Sequence, residues 1–254
     1  MLPVNEWGFD TWILRHWFGV EIEEELEGYL RVPYESLAGK GLDLPFSKEE
    51  LEEQISQLVA GKAPGPDGVH PYMLKWAPPE FVDCLRVLFW EVWHDNHIPE
   101  VWKQSHVRPI RKKKELSEKP KSYRPIYLIS VLGKLFSRLV HARLYAEIEK
   151  KDFLPEFQQG FRKKRGCVEL SQSTFIAFLD VANAFPTTWR AGMLVHLFRL
   201  LGNSRLVRLI HTMYVEDQCR VDVGGEQSDW WSPSSVLKLE THCHLFYFYF
   251  SSQP

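Results

Sequence analysis

Residues 178–185 read Phe178-Leu179-Asp180-Val181-Ala182-Asn183-Ala184-Phe185. Together with the residues before them they make an apolar run, Phe175 to Val181, broken by one acid near its end. A short run of this kind predicts a buried strand that delivers a carboxylate to the edge of a sheet. A lone Asp in such a place is ordinarily a cap or turn residue. What it does here therefore depends on its neighbours, and no two aspartates of the chain are adjacent.

Downstream, helix candidates cover Trp189 to Leu201 and Leu206 to Tyr214, split by Gly202-Asn203. An alternating strand follows at Cys219 to Val223 and turns at Gly224-Gly225. Upstream, Gln158-Gln159-Gly160 leads into Phe161-Arg162-Lys163-Lys164-Arg165-Gly166. Before that, Leu132, Leu135, Phe136, Leu139, Val140, Leu144 and Ile148 recur at helical spacing, which predicts a long helix with Lys134, Arg138, Arg143 and Lys150 towards its flanks. Val107 to Ile110 and Tyr123 to Ile129 are extended candidates, and the lysine-rich stretch between them would join a two-stranded ribbon with a basic tip.

Further back, order is expected to begin at Pro45. Ser47 with Glu50 forms a capping box, and Phe46 and Leu51 stand as a hydrophobic staple. Leu51, Ile55, Leu58 and Val59 mark one face of a helix that stops at Gly61. Lys62-Ala63-Pro64-Gly65-Pro66-Asp67-Gly68 is dense enough in Pro and Gly to be a fixed loop. Phe81, Leu85, Leu88, Phe89 and Val92 predict a second amphipathic helix. Residues 1–44 are aromatic and acidic without a clear period. Leu245 to Phe250 is a bare apolar run that would promote aggregation if exposed.

The chain is 44% hydrophobic and 14% aromatic over 254 residues, enough apolar surface for one or two globular domains and not a disordered composition. A net charge of −2 argues against a uniformly basic nucleic-acid binder, but the average hides an asymmetry. Glu21, Glu23, Glu24, Glu25 and Glu27 crowd the start. Lys103, Arg108, Arg111, Lys112, Lys113, Lys114, Lys119, Lys121 and Arg124 face only Glu115 and Glu118 in the middle, which reads either as a solvated loop or as a phosphate-binding surface. The four cysteines are far apart and form no Cys-x-x-Cys, so neither a disulfide framework nor a zinc module is indicated. His94 and His97 near Cys84 lack a paired ligand set, and a helix end facing water is the simpler reading. No uncharged run approaches the roughly 18 to 20 residues of a membrane span, and no secretory signal is read at the start. An intracellular protein, nuclear or cytoplasmic, is expected.

Four pieces in order, Lys62 to Gly68, Tyr123-Arg124-Pro125-Ile126-Tyr127-Leu128-Ile129-Ser130 with Leu132-Gly133-Lys134, Gln159 to Lys163, and Phe178 to Val181 with Ala184-Phe185, resemble the reverse transcriptases of non-LTR (LINE-like) retrotransposons. The likeness covers about Leu44 to Pro233. It implies an α+β fold, the fingers and incomplete palm of a right-hand polymerase, mostly helical with a small antiparallel sheet. On that basis 1–44 would be a lead-in, 45–165 a fingers-like region, 166–232 a partial palm and 233–254 an unpatterned tail. The resemblance makes Asp180 a metal-bridging carboxylate and the Val181 carbonyl a further ligand, with Mg2+ as the cofactor, since magnesium takes carboxylates, phosphates and water. Phe185 would stand under the incoming sugar and exclude a 2′-hydroxyl. Lys112 and Arg124 would clamp the triphosphate of a dNTP. Gln159, Arg162 and Lys163 would contact the backbone of an RNA or single-stranded DNA template. Outside the resemblance, Phe185 reads as a core aromatic and Arg124 as a surface arginine.

The sequence also departs from that family. The Tyr- or Phe-x-Asp-Asp hairpin is missing, as is the Gln-Gly motif. Tyr214-Val215-Glu216-Asp217 resembles the first but falls at the end of a predicted helix with no strand before it. The stretch between Lys163 and Asp180 is short where the family has room for a helix, and Gly166 to Thr174 looks like the scar of a deletion. Pro186 replaces the Asp usual after Ala-Phe and removes an N–H there. These departures predict a catalytically inactive reverse transcriptase homologue. The alternatives are a surviving fragment that binds RNA or single-stranded nucleic acid, and an unrelated helical interaction protein.

Overall fold

The computed structural model describes residues 21–33, 44–112, 122–151 and 189–233. Residues 21–31 are helical and are called α1. Then follow α2 (Lys48–Ser56), α3 (Pro71–Lys75), α4 (Pro79–Asp95), α5 (Glu100–Lys103), β1 (Gln104–Arg111), β2 (Tyr123–Ile129), α6 (Val131–Lys150), α7 (Arg190–Leu201), α8 (Arg205–Tyr214), β3 (Gln218–Val223) and β4 (Glu226–Gln227). They fall into two compact units. A helical unit takes the described residues within 1–34 and 141–204, and a ribbon unit takes those within 35–140 and 205–234.

Local chemistry sets most of the boundaries in the ribbon unit. The Ser47 hydroxyl accepts from the Glu50 N–H at 3.1 Å, and the Glu50 carboxylate accepts from the Ser47 N–H at 2.8 Å, so two otherwise unpaired donors at the start of α2 are satisfied. Pro71 and Pro79 open α3 and α4 at a position that needs no N–H. α4 ends on Asn96 at φ 51°, a left-handed stop that Asn tolerates. Arg205 donates to the Trp93 carbonyl at 3.2 Å and to the His94 carbonyl, which covers the end of α4. Between α2 and α3, the Gly68 N–H donates to the Gly65 carbonyl at 3.1 Å, closing the expected turn over Pro66-Asp67. A Cβ on Gly65 would lie 2.3 Å from the Ile129 carbonyl carbon and oxygen and 2.5 Å from the Ser130 nitrogen. Only glycine lets this loop rest on the exit of β2.

The sheet runs β2-β1-β3-β4. β1 and β2 pair antiparallel from Ser105↔Ile129 to Arg111↔Tyr123, and β3 and β4 pair antiparallel around Gly224 and Gly225 at φ 62° and 92°. β1 and β3, however, run parallel, from Gln104↔Gln218 to Val107↔Val221. The expected antiparallel sheet is thus corrected to a mixed one. A parallel neighbour requires a crossover connection, and periodicity within a strand carries no information about which way a distant strand runs.

An aromatic cluster fills the ribbon unit. Phe136 meets Phe46, Phe89 and Trp102 at ring separations of 5.7, 5.4 and 5.7 Å, and Phe46 meets Trp93 edge-on at 5.3 Å. Phe46, Phe89, Trp93 and Phe136 are almost wholly buried, the arrangement in which edge-to-face pairs add to simple burial. The expected faces shift slightly. Val59 is exposed because α2 ends before Gly61, and Phe81 is exposed because Val82 and Trp93 join Leu85, Phe89 and Val92 inside. Arg143, expected on a flank of α6, is buried.

In the helical unit, order begins before Pro45, which corrects that expectation. Arg199 on α7 binds the two carboxylate oxygens of Glu25 on α1 through its Nε and Nη2. The Tyr29 ring stacks on Phe198 at 4.9 Å and 4°. The Asn203 amide donates towards the carbonyls of Tyr29, Val32 and Pro33 at 3.0 to 3.3 Å, satisfying acceptors that a helix end leaves open. The hydrogen bond from Arg199, and after it the charge of that guanidinium, hold the Glu25 carboxyl below its ordinary range. Among the described residues no helix is long and apolar enough to cross a membrane.

Candidate nucleic-acid interface

The ribbon is positioned from its inner face. Ser105 and Val107 point inward, where the Ser105 hydroxyl lies 3.2 Å from the buried Cys219 thiol of β3. Alternation then turns His106, Arg108 and Ile110 to the other face. Arg124 is the cross-strand partner of Ile110 and is exposed on that outer face. Lys112 stands two positions beyond Ile110, and its N–H donates to the Ser122 carbonyl at 2.8 Å, extending the ladder by one step. Lys112 and Arg124 therefore both stand at the same end of the ribbon, beside exposed Arg111. A planar guanidinium and a compact ammonium so placed suit the oxygens of a phosphate.

Nearer the root, β3 adds to the same face. Arg220 is the register partner of His106 and donates from Nε to its Nε2 at 3.0 Å. The Arg220 guanidinium lies 4.6 Å from the centre of the Trp230 ring, a cation–π arrangement. Burial, followed by the Arg220 charge, lowers the His106 pKa from its ordinary value, so a neutral imidazole accepts this bond. Arg108 pairs with Asp222 at 3.0 Å, so part of its charge is answered within the sheet.

Two members of the basic run read from sequence therefore change role. Arg108 is ion-paired, and Lys103 is buried, 3.1 Å from Glu100 and 3.8 Å from Glu216. The lysine's position at the junction of α5 and β1 turns it inward, which a count of charges along the chain cannot reveal. The same contacts account for Tyr214-Val215-Glu216-Asp217. Tyr214 ends α8, Glu216 takes φ 58° and faces Lys103, and buried Asp217 leads into β3. This segment is a helix-to-strand turn and not the tip of a hairpin.

Of the residues expected at the site, the structure brings Lys112 and Arg124 together. Asp180, Val181, Phe185, Gln159, Arg162 and Lys163 lie outside the described residues. Among the described residues no group of three His, Cys, Asp or Glu side chains is placed to hold a metal ion. The expected donors, a carboxylate and a backbone carbonyl, are hard oxygens and fit magnesium by their chemistry. Sequence reasoning missed His106, Arg220 and Trp230. The alternation of Arg220 with Cys219 and Val221 was a usable signal for its outward position. Its pairing with His106 across the parallel ladder was not.

Residues 110–237 match the family described as reverse transcriptase (RNA-dependent DNA polymerase). The chain is 28% identical over 221 residues to the RNA-directed DNA polymerase from mobile element jockey of Drosophila melanogaster, covering 80% of this chain and 23% of that protein. It is 31% identical over 170 residues to the probable RNA-directed DNA polymerase from transposon BS of the same organism, covering 61% and 19%. The corresponding protein from transposon X-element is 29% identical over 163 residues, covering 59% and 18%. The chain thus spans about a fifth of the length of these relatives.

Proposed function

The chain belongs to the reverse transcriptase (RNA-dependent DNA polymerase) family, and from that premise we propose that it forms the fingers and the first part of the palm of a right-hand polymerase, with residues 45–165 as fingers and 166–232 as partial palm. The observation that carries this reading is the ribbon register, which sets Lys112 and Arg124 at one end of a β-hairpin. There they bind the phosphates of a dNTP or of RNA and single-stranded DNA, while Gln159, Arg162 and Lys163 bind the template backbone. Asp180 and the Val181 carbonyl would hold Mg2+, which would supply positive charge to phosphate oxygens bound there. Phe185 abuts the sugar and discriminates against a 2′-hydroxyl.

Nucleotidyl transfer uses two ions held by paired acids, and these 254 residues contain no adjacent aspartates. We therefore assign the polypeptide a binding role without DNA synthesis of its own. Primer extension on an RNA template with magnesium should be undetectable, and incorporation that Asp180→Asn abolishes would overturn the inactive assignment. Binding to single-stranded RNA should weaken steeply with salt, with a log–log slope that falls by about 0.7 for each phosphate contact removed. Lys112→Glu and Arg124→Glu should each lower affinity and slope. An unchanged slope in the double variant would remove the phosphate-clamping role from the ribbon end.

A further inference from the structure

The segment after the Pro-Gly loop carries three rings that the ribbon does not use. His70 stacks on Tyr72 at 5.1 Å and 27°, and Tyr72 meets Trp76 at 5.9 Å and 39°. Aromatic residues at one-turn spacing ordinarily form core, yet Tyr72 is 41% and Trp76 73% exposed. The element that bears them is fixed. Leu74 and Pro71 are buried beneath it, and the Lys75 ammonium donates to the Ser56 and Leu58 carbonyls at 3.2 and 2.8 Å, tying α3 to the end of α2. The loop leading into it is pinned through Gly65 to the exit of β2. The ring row thus begins five residues along the chain from Gly65, which touches the root of the ribbon whose far end carries Arg124 and Lys112.

We propose that His70, Tyr72 and Trp76 form a platform on which unpaired bases of an RNA strand stack while its phosphates engage the basic ribbon, a proposal that rests on the nucleic-acid-binding role assigned above. Ring-on-ring order favours this occupant. His70 and Tyr72 already stack, Trp76 is tilted from Tyr72 and is the most exposed ring of the three, and each base–aromatic contact tolerates any sequence. The loop that leads to the platform touches one end of β2 at Gly65, and the seven residues of that strand carry the ribbon roughly 20 Å to its basic end at the rise of a strand. The competing occupant is a second copy of the chain, which exposed Met73 and Val59 would favour.

The full chain should be titrated with a labelled single-stranded RNA of roughly 12 nucleotides, within the usual site sizes for such binding, and with an abasic oligonucleotide of equal length. Tyr72→Ala and Trp76→Ala should each weaken RNA binding about tenfold while leaving the salt slope unchanged, because no phosphate contact is lost. Trp76→Phe should retain most of the affinity, and the abasic strand should not distinguish wild type from variants. Wild-type RNA affinity in the Tyr72→Ala, Trp76→Ala double variant would overturn the platform and leave the ribbon assignment standing, as would a loss of self-association in that variant with RNA binding intact. An equal loss on the abasic strand would also overturn it. Absence of RNA binding by the wild-type chain would overturn both readings.

Discussion

The ribbon unit and the helical unit are held by different kinds of contact. In the first, a capping box, two helix-opening prolines, a glycine-seated loop and a cluster of edge-to-face rings act at many points, and several of the partners are near in sequence. In the second, the contacts between α1 and the region of α7 include an ion pair, a ring stack and the Asn203 amide. Glu25 and Arg199 are both partly exposed, and exposed ion pairs are typically worth about 0.2–1 kcal/mol. The basic ribbon thus extends from a unit anchored by a cluster of buried rings, whereas the acidic α1 meets α7 in part through an exposed ion pair.

The largest effect expected to test that contrast is Phe136→Ala. The ring is fully buried among Phe46, Phe89 and Trp102, so its loss should cost about 3–5 kcal/mol in urea unfolding. Hydrogen exchange in β1 and β2 should rise with it. Should α7 lose protection to the same extent, the two regions unfold as one and the contrast fails. Next in size, Asn203→Ala removes the amide that serves three carbonyls and should cost about 1 kcal/mol. Its mark would be faster exchange across α1 with β1 and β2 unchanged; unaltered exchange in α1 would show that Arg199 and Phe198 suffice.

The smallest effect is pH dependence. Burial leads the causes that lower the pKa values of His106 and His211 in the ribbon unit and of His196 in the helical unit from the ordinary 6.5. Each is neutral in the fold at a pH where the unfolded chain binds a proton, so acid favours unfolding. Stability should be flat above about pH 7.5 and decline as the pH falls through 6.5 towards the lowered folded values. Urea midpoints measured across this range, with His211→Gln reducing the slope, would check it. A midpoint that rises on acidification would contradict the sign.

Much of the ribbon unit was legible because its signals are local. β2 spans the expected Tyr123 to Ile129, the Ser47–Glu50 box forms, and Gly224-Gly225 turns the last hairpin. Periodicity also placed α6, α7 and α8 to within a residue or two. Burial was less legible at the edges of faces, as Val59, Phe81 and Arg143 show, because one residue of helix rotation decides which side chain meets the neighbour. For the candidate site, Lys112 and Arg124 were readable from charge and motif order, whereas the His106, Arg220 and Trp230 cluster needed two strands far apart in sequence to lie side by side.

Sequence alone determined the family, through four ordered motifs, and the ribbon, through two extended runs around a basic connection. Tertiary structure alone decided that β3 joins β1 in parallel, that Lys103 turns inward between Glu100 and Glu216, and that Tyr72 and Trp76 face solvent. The division has a physical cause. Caps, turns and amphipathic periods are written in neighbouring residues, whereas strand direction, ion pairing and exposure depend on which distant surface arrives to cover them.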